Sequence, residues 1–178
     1  KNGDYIFIMD GMESLVRWKS PTRGLVPPMQ FIPLAEKNGM IVDIGYGVLK
    51  KSCRQIKEWH NKGYGPVRVS VNLSPVQFRP GDLVKLVGSA LAASGLEAGR
   101  LELEITEGVL LSDPASALAT LISLRALGVR IAMDDFGTGY SSLGYLQSFP
   151  LDKIKIDRSF VRNIGSEPSA RSIVEAIV

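Results

Sequence analysis

The sequence predicts an α/β protein built on a parallel sheet with helices packed outside it. Three observations carry that prediction. From Pro66 onward, a strand, a loop and a helix recur four times in succession. The 178 residues are 45% hydrophobic, enough to bury one core without a low-complexity stretch or an evident domain boundary. The strands are apolar along their length and polar at their C-terminal ends, the pattern of a sheet whose strand ends share one mouth.

The elements follow in order. Tyr5 to Met9 and Met12 to Trp18 read as two strands, with Asp10-Gly11 as the turn between them. After Pro27-Pro28 comes a short helical stretch, Phe31 to Glu36. Ile41 to Trp59 is the clearest helix. Ile41, Ile44, Val48, Cys53, Ile56 and Trp59 recur at spacings that put them on one face, with Leu49 beside Val48. Val67 to Asn72 is the first parallel strand, followed by a helix from Asp82 to Ser94. Leu101 to Ile105 is the second strand. Its helix runs from Pro114 to Leu127, with Asp113 as N-cap and Pro114 at the first helical position. Val129 to Met133 precedes a helix over Ser141 to Gln147, and Lys153 to Ile156 precedes a last helix near Pro168. A (β/α) barrel and a doubly wound open sheet both fit this order.

Composition removes several function classes. A net charge of +3, from 21 Lys+Arg against 18 Asp+Glu, is too mild for a nucleic-acid polymer, which calls for a dense basic stripe. One Cys rules out an internal disulfide framework and a Cys-rich zinc cluster, and one His rules out a His-rich metal site. No apolar run reaches the roughly 18 residues that span a bilayer. No secretory signal pattern opens the sequence. Because it begins at Lys1, the expectation is a piece of a longer protein.

The strand ends carry the chemistry. Glu13 lies on the early strand, Asn72 ends the first parallel strand, Glu104 lies on the second, and the third runs into Asp134-Asp135. These are four carboxylates and one amide oxygen, a hard-oxygen set that suits Mg²⁺ or Mn²⁺ better than zinc. Five such donors exceed the needs of one hydrated octahedral ion. Adjacent aspartates can serve two ions about 3.5–4 Å apart, as in phosphate-ester hydrolases. Lys155 among them suits holding a nucleophilic water or neutralising phosphate charge. Any one of these carboxylates alone would read as a solvated loop residue or a cap. Their joint occurrence at successive strand ends sets them apart.

Other matches are weak. Asp135-Phe136-Gly137 has no His-Arg-Asp segment or ATP loop with it, and Gly137-Thr138-Gly139 has no third glycine in register. His60 reads as a surface helix end, Cys53 as core, and Trp18 and Trp59 as packing residues. Lys153, Arg158 and Arg162 read as a solvated face.

Six motifs in order resemble the EAL domain, the bacterial cyclic-di-GMP phosphodiesterase module. Its signature triplet stands here as Glu13-Ser14-Leu15, followed two residues on by Arg17. Leu25 to Pro28 with Phe31 to Glu36, Ser70 to Ser74, Glu102 to Glu107, Asp134 to Leu143 and Lys155 to Asp157 follow, and Asp134 to Leu143 is the most specific. The likeness runs from about Gly11 to the end, so residues 1–178 are expected to be a single partial EAL domain.

The resemblance implies a TIM-like barrel with an altered first strand direction, incomplete at its C-terminal end. It implies hydrolysis of cyclic-di-GMP to the linear dinucleotide with Mg²⁺ or Mn²⁺, two ions in the intact domain. Glu13, Asn72, Glu104 and Asp134 would bind metal, and Asp135 the second ion. Lys155 would orient the attacking water, with Asp135 and Glu13 completing the catalytic set. Arg17 would meet a substrate phosphate, and Leu15, Asn72 and Asp135 would line the substrate. Glu107 would anchor the loop Asp135 to Tyr140, which in the family links the site to the dimer interface. The implied partners are a second copy, GGDEF or sensory domains, and no nucleic-acid polymer; the implied location is the cytoplasm. A non-catalytic cyclic-di-GMP receptor or a regulatory dimerisation module is the alternative.

Three departures stand out. Ser14 replaces the motif's Ala, a small residue for a small one. Tyr5 to Met9 does not match the family's Gln-Pro-Ile strand, so a base-contacting Gln is expected to be missing. The Glu-Gly-Val-Glu segment, which supplies a further metal-binding Glu, does not occur before Val178. A full barrel takes roughly 250 residues, which leaves this chain about two strand–helix units short. The expectation is that residues 1–178 alone associate or are poorly stable, and hydrolyse weakly.

Overall fold

A computed structural model describes residues 9–78, 82–137, 148–163 and 165. Five strands form one sheet: β1 (Gly11–Ser14), β4 (Arg68–Asn72), β5 (Leu101–Thr106), β6 (Arg130–Phe136) and β7 (Lys153–Ile156), in that spatial order. All four pairings are parallel. The sheet is curled and open, an incomplete TIM-like barrel. The helices are α1 (Pro28–Lys37), α2 (Ile41–Asn61), α3 (Asp82–Ser94), α4 (Glu107–Ser112), α5 (Pro114–Ala126) and α6 (Arg158–Asn163). Strands β2 (Trp18–Ser20) and β3 (Gly24–Val26) pair antiparallel as a separate hairpin.

Strand alternation sorts the side chains. Val69, Val71, Leu101, Leu103, Ile105, Ile131 and Met133 are buried and join one apolar core with Leu49, Cys53 and Ile56 of α2, Val87 of α3, and Leu121 and Leu124 of α5. Each such side chain contributes about 1.5–3 kcal/mol of transfer free energy. The alternate positions Ser70, Asn72, Glu102, Glu104, Asp134, Lys153 and Lys155 share the other face, the interior of the curl.

From Pro66 onward the expected elements that are described begin within one residue of where the sequence puts them, and β6 runs three residues further than expected, to Phe136. Asp113 caps α5 by accepting the Ser116 amide at 3.2 Å, with Pro114 at the start of the helix. Three expectations are corrected. Asp10-Gly11 is no turn: Gly11 pairs with Arg68 in β1, and the Arg68 amide donates to the Asp10 carbonyl at 3.2 Å. A Cβ at Gly11 would lie 3.4 Å from the Arg68 carbonyl, so a close backbone approach explains this glycine. Met12 to Trp18 is not one strand. Pairing with β4 ends at Ser14, and Trp18 turns to β3, where its ring meets Phe31 edge-on at 5.9 Å. Asp134 and Asp135 do not follow β6; they lie within it, at an irregularity between Met133 and Phe136.

The helix over Arg158–Asn163 was not anticipated. Asp157 opens it, accepting the Ser159 amide at 2.9 Å and the Ser159 hydroxyl at 2.5 Å. The helices expected over Ser141 to Gln147 and near Pro168, the altered first strand direction, and the strand expected over Tyr5 to Met9, apart from Met9 itself, lie outside the described residues. No described helix is long and apolar enough to cross a membrane.

Candidate metal centre

Parallel register brings the polar strand ends together. Asn72 of β4 sits opposite Glu104 of β5, and Thr106 of β5 opposite Asp134 of β6. Glu13, Glu104 and Asp134 each offer a carboxylate oxygen, all within 4.8 Å of one another. Lys155 reaches in from β7. Its Nζ donates to Glu104 Oε2 at 2.9 Å and Asp134 Oδ2 at 3.0 Å, and lies 3.8 Å from Glu13 Oε2. Asn72 Nδ2 donates to Glu13 Oε1 at 2.7 Å, which leaves its Oδ1 as a further oxygen donor.

Burial sets the electrostatics. Glu104 is 2% exposed, and burial pushes its carboxyl above the usual range, partly offset by the hydrogen bond and charge of Lys155. Burial opposes the charge of Lys155, but its hydrogen bonds to Glu104 and Asp134 outweigh that, so the ammonium holds its proton more tightly than usual. Asp135 is raised by burial first, then by the charges of Asp134 and Asp157. It adopts φ 53°, the left-handed region that a non-glycine residue enters at a cost. The Asp135 amide donates to Asp134 Oδ1 at 3.0 Å. The bulge thus keeps Asp134 in the cluster while Asp135 stands exposed at the rim.

Leu15 and Arg17 are not among the groups that meet at the carboxylate cluster. Both are exposed and line a groove of about 300 Å³ with Glu36, Asn72, Ser74 and Thr106. Arg17 Nη1 donates to the Val16 carbonyl at 2.9 Å. Glu107, buried at the start of α4, accepts the Gly137 amide at 2.8 Å, where the segment after Asp135 begins.

One layer escaped sequence reasoning. Glu102, 4% exposed, accepts Ser70 Oγ at 2.9 Å and Lys153 Nζ at 3.1 Å beneath the cluster. Lys153 is exposed, as are Arg158 and Arg162, but unlike a purely solvated side chain its ammonium pairs with buried Glu102. The signal was present: Glu102 and Glu104, like Lys153 and Lys155, are two apart and so share a strand face.

The donor set fits a divalent ion. Three carboxylates and an amide oxygen, with no thiolate or imidazole among them, match Mg²⁺ or Mn²⁺ chemistry. The fold and site therefore define an α/β protein with an acidic candidate metal centre at the C-terminal rim of an open parallel sheet. Residues 8–178 match the EAL domain, and the chain belongs to that family. It is 54% identical over 168 residues to a signalling protein of Caulobacter vibrioides, covering 94% of this chain and 20% of that protein. It is 46% identical over 170 residues to the bifunctional diguanylate cyclase/cyclic di-GMP phosphodiesterase MucR of Pseudomonas aeruginosa, covering 96% of this chain and 25% of that protein. The solved complex of the PaMucR phosphodiesterase with c-di-GMP superposes with a TM-score of 0.89 at 45% identity, over 96% of this chain and 69% of that one. The chain thus spans a quarter or less of the length of these two curated relatives.

Proposed function

We propose that this EAL domain hydrolyses one phosphodiester bond of cyclic-di-GMP to give the linear dinucleotide, in a reaction that needs Mg²⁺ or Mn²⁺. The observation that carries the proposal is the convergence of Glu13, Glu104 and Asp134 on one point, with Lys155 bonded to two of them. The likeness to a phosphodiesterase solved with c-di-GMP supports the choice of substrate.

In this reading Glu13, Asn72, Glu104 and Asp134 hold one ion and Asp135 a second. When bound, the ions supply Lewis acidity toward phosphate oxygens and lower the pKa of bound water. Lys155 keeps its proton, so it acts as a hydrogen-bond donor that orients the attacking water, not as a base. Asp135, at the exposed rim, accepts the proton that water loses. The water oxygen bonds to phosphorus, the ester P–O bond breaks, and the departing ribose oxygen takes a proton from solvent to become the product hydroxyl. Arg17 offers its guanidinium to a substrate phosphate, and Leu15 gives the ligand an apolar contact. Glu107 holds the segment after Asp135, which in this reading leads to a homodimer interface. The bifunctional name of MucR supports a cyclase domain beside this one, and the substrate implies a cytoplasmic setting.

The test is chromatography of cyclic-di-GMP incubated with the full-length protein and Mg²⁺ or Mn²⁺. The expected result is the linear dinucleotide, abolished by chelation and by Asp134→Asn. Binding of cyclic-di-GMP without turnover in either metal would overturn the proposal in favour of a receptor.

A further inference from the structure

We infer that Glu36, Ser74, Gln77 and Gly45 are positioning residues that fix the Asn72 amide at the candidate metal centre. The inference rests on the proposed role of Asn72 as a metal ligand.

Asn72 is the last residue of β4, and its side chain is exposed, so its own packing does little to hold it. The residues just after it are pinned three ways. Leu73, buried, donates its amide to the Glu104 carbonyl at 2.9 Å, which extends the ladder one step past the strand. Ser74 Oγ donates to Glu36 Oε1 of α1 at 2.7 Å. Ser74 also caps the 3₁₀ turn Pro75–Gln77. Its hydroxyl accepts the Val76 amide at 3.3 Å, while its own amide donates to Gln77 Oε1 at 2.9 Å.

Gln77 reaches Ser74 only because α2 makes room for it. Gln77 is buried against Gly45, where an added Cβ would overlap the Gln77 amide, 2.9 Å from Cδ and 3.0 Å from Oε1. A side-chain end normally swings away from such a clash at little cost. Here Oε1 is bonded to the Ser74 amide, so moving it breaks the cap. A glycine inside a helix is destabilising relative to Ala, so its presence here needs a reason. Gly47 on the same helix meets nothing within 4 Å at its own Cβ position. That makes Gly47 an internal control for helix propensity.

The test titrates Mn²⁺ into the full-length protein by calorimetry for the wild type, Gly45→Ala, Gln77→Ala, the double variant and Gly47→Ala. Gly45→Ala is expected to weaken Mn²⁺ binding about tenfold, the scale seen when outer partners of metal ligands are removed. The double variant is expected to bind no worse than the weaker single one, because both act through the same amide. Gly47→Ala is expected to bind like the wild type. Should Gly45→Ala fail to fold, Ser74→Ala adds no atoms and carries the same expectation. Unchanged affinity in Gly45→Ala or Ser74→Ala, or additive losses in the double variant, would overturn the inference while leaving the proposed function standing. A wild type that binds no Mn²⁺ would remove the proposed function and this inference together.

Discussion

At the scale of single residues, Lys155 and a divalent ion want the same oxygens. Its ammonium is bonded to Glu104 and Asp134 and close to Glu13. Lys155→Met is therefore expected to lower turnover by about 10²-fold or more, the typical contribution of a positioned proton-transfer or water-holding group. The same variant should bind Mn²⁺ at least as tightly as the wild type. A parallel loss of both would count against the competition. Cys53 gives a pH prediction. Burial pushes its thiol up to about 11, so the folded state favours the protonated form. An acid raised on folding costs stability once the unfolded chain ionises, so stability should fall as pH climbs from about 9 toward 11. Iodoacetamide at pH 8 should label Cys53 only after denaturation; rapid labelling of the native protein would refute the burial. Both residues were legible in the sequence, Lys155 from its strand and Cys53 from its helix face. The pairing of Lys153 with Glu102 was not, because lysines on a short strand look alike until register assigns their partners.

At the scale of elements, the sequence was read well where a helix or strand is long and bounded by its own signals, as at α5. Asp113→Ala should cost about 0.5–2 kcal/mol in chemical denaturation, the usual loss of an N-cap; no change would mean the cap is redundant. Met12 to Trp18 reads as one strand because its apolar residues run on past Ser14, where pairing with β4 stops. Ser14 shows what pairing alone reveals. It takes the place of a small motif residue, yet Ser52 Oγ of α2 donates to its hydroxyl at 2.7 Å and ties β1 to the helix behind it. Ser14→Ala and Ser52→Ala should each cost about 0.5–1.5 kcal/mol, and the double variant no more than either single one. Additive losses in that denaturation cycle would show that the bond carries no coupling.

At the scale of the whole molecule, the open sheet and the acidic rim are the two facts that matter. Among the described residues β1 and β7 each have one strand neighbour, which leaves unpaired backbone at both edges. The 178-residue chain on its own is therefore expected to elute from gel filtration as associated species; a clean monomer with a sharp melt would contradict that. The order of strands was legible because each strand–helix unit is local. The three-carboxylate point was legible only as a coincidence of strand ends, since register and the β6 bulge, not spacing, put the oxygens within reach. The most direct test of the account is a calorimetric Mn²⁺ titration of the full-length protein beside Glu104→Gln and Asp134→Asn. The account predicts saturable binding that each substitution weakens at least about tenfold. Binding that ignores both substitutions, or no binding by the wild type, would contradict it.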